Sequence, residues 1–450
     1  MTRLIGFLIA AAALRAQSDS ADLHREIAEL RSLVEKLQSR VDSLEKSAPP
    51  ASPAAAVVTT PPAAAPVTPT PGQLSTAVPG VTFNLLLDGY YEYNFNSPIG
   101  RANLLRAYDV SSNSFSLNQA AIVLEDAPQP DQGKRWGARL DLQWGQATQT
   151  LQGNAVNEPR PEIYRNLYQA YGTHVFPVGN GLTVDFGKWS SSIGIETNYT
   201  KDAMNYSRSF WYDFLPFYHM GARASYKVED LLTLNYWITN GTNQTEAFNG
   251  FKDELFGAVV QPRKNLTWNL NYYLGQEHPD VIFYPNGAPA GLTNLPTLQG
   301  VPFQPIPNPP SGHLNILDTY MTWQPLAPLT VAFEGDYVIE REYTTSPPLR
   351  AEGGAAYLRY QLSPRLALAS RAEYLSDRGG LFSGKAQDLK ENTLTLQWKL
   401  NEGFLTMFEW RRDFSNQPYF YTNTLGILRK EQNTATMGLV WWFGRKQGAW

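Results

Sequence analysis

The 450-residue chain contains no cysteine. That excludes disulfide frameworks, thiolate metal sites, cysteine nucleophiles and anchoring through an N-terminal lipidated thiol. Charge is also scarce: 17% of residues are Asp, Glu, Lys or Arg, where about a quarter is ordinary for soluble domains. There is no basic excess, since 37 basic and 41 acidic residues leave a net charge of −4. A dedicated nucleic-acid binder would show the opposite imbalance. Beyond the N-terminus no stretch reaches the ~18 consecutive apolar residues of a membrane-spanning helix. Aromatic residues are what the chain has in quantity, with 12 Trp, 24 Tyr and 21 Phe.

The beginning has the layout of a secretory signal over residues 1–16. Arg3 is followed by the apolar run Leu4–Leu14 and by Ala16 before Gln17. The run is too short to cross a bilayer as a helix. The chain is therefore expected to be exported, and to enter a membrane, if it does, through strands.

Residues 17–46 predict a coiled-coil oligomerisation segment. Leu23, Leu30, Leu37 and Leu44 fall on d positions, and Ile27, Val34 and Val41 on a positions. β-branched a with leucine d favours two strands. The run Arg40-Val41-Asp42-Ser43-Leu44-Glu45 instead resembles a pattern of short trimeric coils. Self-association is expected, as a homotrimer or a dimer. Residues 47–80 are rich in Pro, Ala and Thr with almost no charge, a composition that favours extended polyproline II and acts as a spacer.

From about Val81 the rhythm has period two. Phe83, Leu85, Leu87, Tyr91, Tyr93 and Phe95 share one face, with Asn84, Asp88, Glu92 and Asn94 on the other. The same alternation marks about sixteen strands, near 82–95, 114–125, 134–145, 163–176, 182–189, 217–228, 231–240, 254–261, 265–275, 313–324, 329–340, 352–362, 365–376, 389–400, 404–413 and 434–443. Short connections such as Asn401–Gly403 alternate with long ones at 96–113, 146–162, 190–216, 276–312 and 414–433.

Two-faced strands build either a soluble sandwich or a membrane barrel. Three features favour the barrel: strands of ten or so residues, alternating short and long connections, and aromatics at strand ends (Tyr93, Phe95, Trp323, Trp441, Phe443). The polar faces carry Asp88, Glu92, Arg139, Asp141, Arg223, Glu334, Asp336, Arg359, Arg371, Glu373, Glu409 and Arg411, which a dry core would desolvate at great cost. The fold expected is an all-β, transmembrane, antiparallel up-and-down barrel over 81–443 with these residues facing the lumen, followed by a tail at 444–450. The last strand, with Met437, Leu439, Trp441 and Phe443 alternating towards an aromatic end, resembles the C-terminal sorting signal read by the outer-membrane assembly machinery.

Several local runs carry a family resemblance: Gly89-Tyr90-Tyr91, Asn113 to Ala120, Gly187-Lys188, Ile193-Gly194-Ile195-Glu196, Asn205-Tyr206-Ser207-Arg208-Ser209 and Glu409-Trp410-Arg411-x-Asp413. With them, 81–443 resembles the OmpL-like outer-membrane β-barrel porins, to which a coiled coil has been added. The resemblance implies a channel in outer-membrane lipid, with the coiled coil and linker in the periplasm, and it supplies no substrate. In general porins the third long loop sets the constriction. Here that loop, 190–216, holds Glu196, Lys201, Asp202, Arg208 and Asp213. Glu196, Asp202 and Arg208 are expected to face wall residues such as Arg139, Arg223 and Arg371. Acids slightly outnumber bases on the lumen face, which predicts weak cation preference; no Arg/Lys ladder points to phosphate.

Two other readings are open to the sequence. A barrel anchor would tether the outer membrane to the cell wall through the coiled coil and linker. A barrel hydrolase would need a histidine beside a nucleophile and an acid, yet no Gly-x-Ser-x-Gly motif accompanies His24, His174, His219, His278 or His313. Neither a cofactor nor a metal is expected, and Asp336/Glu340 alone lacks a recognisable ligand spacing.

Overall fold

Alternation dictates the architecture of the computed structural model, which describes residues 80–152, 158 and 160–444. The expected signal, coiled coil, most of the linker and most of the C-terminal tail lie outside these residues. Sixteen antiparallel strands close into one barrel. They are β1 (Thr82–Asn94), β2 (Ser114–Asp126), β3 (Trp136–Trp144), β4 (Leu167–Phe176), β5 (Leu182–Ser190), β6 (Tyr218–Glu229), β7 (Leu232–Thr239) and β8 (Asp253–Arg263). The second half comprises β9 (Leu266–Gly275), β10 (Leu314–Leu326), β11 (Leu329–Glu340), β12 (Leu349–Gln361), β13 (Leu366–Arg378), β14 (Gln387–Asn401), β15 (Phe404–Ser415) and β16 (Glu431–Gly444). Each pairs with its sequence neighbours, and β1 also pairs with β16 from Asn84↔Gly444 to Asn94↔Thr434. Closure leaves no unpaired edge.

One rim carries both ends of the barrel chain and the short turns, such as 230–231, 264–265 and 402–403; the other carries the long loops. Along β1, Leu87 and Tyr93 are exposed while Leu86, Asp88, Tyr90 and Glu92 are buried. The outward rows add Leu117, Phe186, Phe256, Leu317, Phe333, Leu394, Trp410, Met437 and Leu439, all exposed. An uncovered apolar surface of this extent is the kind a transmembrane barrel turns outward. Trp323 and Trp441 stand on this outer surface near the turn rim, and Tyr93 near the loop rim, as interface aromatics do.

Strand β4 starts later than its alternation suggests. Pro161 opens a one-turn helix, Pro161–Tyr164, which consumes residues that read as strand.

The interior differs more from expectation. The bore is not an open polar tube but holds apolar clusters, of which two are large. In one, Leu86, Tyr90, Val123, Met407 and Val440 of the wall pack with Ala107 and Tyr108 of the first loop and Tyr199 and Tyr206 of the third. In the other, Trp189, Trp237, Leu255, Tyr273 and Leu375 pack with Ile193, Phe210, Trp211 and Leu215. Inward positions that are apolar on the wall therefore receive apolar side chains from inserted loops. This burial is the ordinary hydrophobic driving force acting inside the barrel.

Candidate functional site

The third loop, residues 191–217, lies within the barrel, and its backbone is fastened to the wall by the charged inward side chains. Ser209 caps a short helix, α1 (Phe210–Phe214), with Oγ accepting from Tyr212 N–H at 2.9 Å. That leaves the first helical N–H groups free for another acceptor. Glu373 of β13 takes them, accepting from Phe210 at 2.9 Å and Trp211 at 2.8 Å. Glu409 of β15 does the same for Tyr206 at 2.6 Å and Ser207 at 2.9 Å, and Glu334 of β11 accepts from Ile195 at 3.0 Å.

Wall arginines satisfy the loop's carbonyls. Arg371 donates to Ser207 O at 2.8 Å, and Arg411 donates to Arg208 O. Charge-assisted bonds of this kind are about twice as strong as neutral ones. Acids on N–H groups and guanidiniums on carbonyls thus form a cradle whose pattern matches the loop backbone.

The five loop residues expected at a constriction have distinct surroundings. Glu196 pairs with Arg371 at 2.6 Å and accepts from Ser209 N–H at 2.8 Å. Lys201 and Asp202 pair with each other at 2.8 Å. Arg208 is fully buried and donates to three carbonyls of its own loop: Thr197 at 3.0 Å, Tyr206 at 2.8 Å and Asn198 at 3.0 Å. Its guanidinium also stacks 4.9 Å from the Tyr108 ring centre. Burial pushes the Asp213 carboxyl up to about 7, against the opposing pull of Arg411 and Arg106.

Of the facing pairs expected between loop and wall, Glu196–Arg371 is formed. Arg139 turns instead to Asp141, two residues along its own strand, at 2.8 and 2.9 Å. Arg223 pairs with Asp185 of β5 at 2.7 Å. Each has a nearer partner on the wall itself, so neither reaches the loop.

The remaining inward residues also have partners. Asp88 accepts from Tyr206 at 2.9 Å and Thr200 at 2.6 Å. Asp141 accepts from Tyr199 at 2.7 Å. Glu92 accepts from Thr436 at 2.5 Å and from Asn103 of the first loop. Arg359 donates to Gln397 at 2.9 Å and Gln361 at 2.8 Å. Asp336 is the exception, with no partner but the Asp318 carboxyl that it faces.

The first loop was not singled out by sequence, although it too is inserted. Arg106, with a fully buried side chain, pairs with Asp413 of β15 at 2.8 Å and with Asp109 at 3.1 Å. The spacing of Arg106 and Asp109 was a usable signal for a folded rather than a solvated loop.

Space persists beside the third loop as a series of cavities. A cavity of about 460 Å³ near the turn rim is lined by Lys201, Asp202, Met204, Arg359, Arg365 and Lys399. One of about 320 Å³ near the loop rim is lined by Leu215, Pro216, Glu277 and Glu340 among others. Between them are smaller cavities of about 20 Å³, touching Glu196, Leu215 and Glu334, and about 70 Å³, touching Glu196, Asp202, Met204 and Tyr357. Neighbouring cavities share Leu215 and Pro216, then Glu196, then Asp202 and Met204.

Among the described histidines, His219 stands beside a hydroxyl without an orienting acid. His219 has Ser191 Oγ at 3.2 Å on one ring nitrogen and the Gly241 carbonyl at 3.3 Å on the other, so no carboxylate orients it.

A family model described as "Putative beta-barrel porin-2, OmpL-like" matches residues 80–443. No curated protein matches the chain. Among solved structures, similar folds include an anion-selective porin of Comamonas acidovorans, at 6% identity and TM-score 0.50, covering 81% of this chain and 99% of that one. The outer-membrane channel DcaP of Acinetobacter baumannii is similar at 9% identity and TM-score 0.49, with 81% and 97% covered. OmpT, an outer-membrane protein of Vibrio cholerae, is similar at 9% identity and TM-score 0.47, with 81% and 97% covered.

Proposed function

Because the chain belongs to the OmpL-like β-barrel porin family over residues 80–443, we propose that it gives small hydrophilic solutes a passive route across the bacterial outer membrane, along the third loop. The row of cavities that meets at Glu196 supports this reading above all. Its smallest member, about 20 Å³, is close to the 10–15 Å³ that one water needs. The channel is therefore of low conductance, with Glu196 at its narrowest part and Arg208 holding the loop in shape. Basic groups at the turn-rim cavity and acidic ones at the loop-rim cavity polarise the route. Passage is limited by size and by these charges.

The same reading includes a C-terminal signal at Met437, Leu439, Trp441 and Phe443 for the assembly machinery, and a periplasmic coiled coil at 17–46 that makes the protein a homotrimer or dimer. Full-length protein in planar lipid films tests it: small, discrete conductance steps are expected. Their absence at every protein concentration would remove the channel. A second reading, favoured by how much of the bore the first and third loops fill, is a barrel anchor tied to the cell wall. It requires a silent lipid film together with co-sedimentation on peptidoglycan.

A further inference from the structure

Two neighbouring wall strands bring three carboxylates to one point of the lumen. Asp318 of β10 and Asp336 of β11 are direct partners in the antiparallel ladder, so their side chains stand opposite each other on the inner face. Glu334 occupies the preceding inward position of β11. One oxygen from each carboxylate lies within 4.8 Å of the others. The residues are 0%, 7% and 5% exposed, respectively for Asp318, Glu334 and Asp336. Like charges directly opposite destabilise a sheet, and burial removes the water that would screen them.

Among the described residues no Lys, Arg or His forms an ion pair with the three. Asp318 accepts from Asn271 Nδ2 at 2.7 Å and from the Gly194 N–H. Asp336 is hydrogen-bonded to the Asp318 carboxyl alone, and no group from outside the trio donates to its buried oxygens. Glu334 accepts from the Ile195 N–H and the Tyr357 hydroxyl, each at 3.0 Å. Arg371 is already committed to Glu196 and Glu391.

We propose that Asp318, Glu334 and Asp336 bind a calcium ion. Hard carboxylate oxygens select a hard cation. Three carboxylates converging on one buried point make a calcium-type donor set, because Mg²⁺ keeps several of its waters and takes only one or two carboxylates. The facing oxygens of Asp336 and Asp318 supply ligands, and water fills the remaining positions.

The third loop lies over this cluster. Gly194 has φ +87°, and a Cβ there would stand 3.1 Å from Glu334 Oε1, so only glycine suits the approach. Glu334 also borders the narrow cavity that touches Glu196. A bound ion therefore steadies Glu334, which holds the Ile195 N–H of the loop, and cancels negative charge beside the route. The site rests on the carboxylate geometry and is independent of the channel reading.

The test uses full-length protein refolded into detergent free of lipopolysaccharide, with refolding confirmed by heat-modifiable migration. Equilibrium dialysis with radioactive Ca²⁺ is expected to find one tight site per chain. Mg²⁺ should compete only in large excess. Asp336→Asn and Asp318→Asn should each weaken binding by at least about ten-fold, because carboxylate count sets affinity in such sites. Absent binding, or binding unchanged in both variants, overturns the site. Should neither variant refold, Tb³⁺ luminescence excited through the protein's tyrosines is expected in the wild type and should be quenched by Ca²⁺; a dark result overturns the site as well. Tight binding without conductance would retain the site while removing the channel.

Discussion

Glu196 of the third loop and Arg371 of strand β13 form a 2.6 Å ion pair that joins loop to wall inside the barrel. The two partners are not equivalent. Arg371 also holds Glu391 at 2.8 Å and the Ser207 carbonyl at 2.8 Å. Removing it leaves buried carboxylates uncompensated, a change that costs about 3–5 kcal/mol. Arg371→Ala should therefore lower the temperature at which the barrel loses its compact gel migration. Glu196→Gln leaves Arg371 paired with Glu391, so that temperature should barely move. Reversal potentials in a salt gradient should instead shift towards anions in Glu196→Gln. Equal melting of the two variants, or an unmoved reversal potential, would contradict this division of roles.

Arg208 acts within the loop. Its planar fork reaches the carbonyls of Thr197, Asn198 and Tyr206, and hydrogen bonds to a charged group contribute about 1.5–3 kcal/mol each. Arg208→Ala should release the loop from its compact shape, with larger and noisier single-channel steps but an intact barrel. Arg208→Lys should not restore the quiet channel, because an ammonium cannot span three acceptors in a fixed plane. Quiet, unaltered steps in Arg208→Ala would show that the loop keeps its shape without the guanidinium.

Gly438 of β16 lets Tyr206 lie flat against the wall. A Cβ at this inward position would fall 2.3 Å from the tyrosine ring, closer than any stable contact. Gly438→Val should push Tyr206 off the wall and away from Asp88, to which its hydroxyl donates at 2.9 Å. Valine suits a strand, so the barrel should still form. The expected reading is a higher conductance per channel with unchanged heat-modifiable migration. A conductance equal to wild type would mean that Tyr206 does not limit the route.

The strands were legible because one face is apolar and turned outward while the other is largely polar, so period two is written along them, as in Trp136/Ala138/Leu140 against Arg139/Asp141. Residues two apart in a strand share a face, as Arg139–Asp141 and Arg411–Asp413 do, yet Arg139 was expected to face the third loop rather than its own strand. The order of the connections picked out 190–216 as the third long loop, and its insertion was implied by the resemblance to porins. Arg371 was named as a wall partner beside Arg139 and Arg223, but the choice among the three was not legible, because Glu196 meets Arg371 across 175 positions of chain and the closure and stagger of the barrel decide which wall residue it faces. The apolar filling of the bore was hidden for a related reason. Inward Leu86 and Tyr90 look like irregularities in a polar row until Tyr108 and Tyr206 are seen to cover them.

Asp213 makes the loop sensitive to pH near neutrality. In an unfolded or released loop its carboxyl has the ordinary value, 3.8; in the barrel, burial raises it to about 7. The docked loop therefore holds the proton more tightly than the released one. A group shifted in this direction contributes its stability in full below the ordinary value and loses it as pH rises through about 7. Above that pH, Asp213 adds a negative charge opposed by Arg411 and Arg106 and reinforced by Asp109. Between pH 6 and 8 the reversal potential should thus move towards cations, and the loop should open more readily. Asp213→Asn should abolish the slope while keeping the low-pH behaviour. A slope of the opposite sign, or the same slope in Asp213→Asn, would assign the titration to another group.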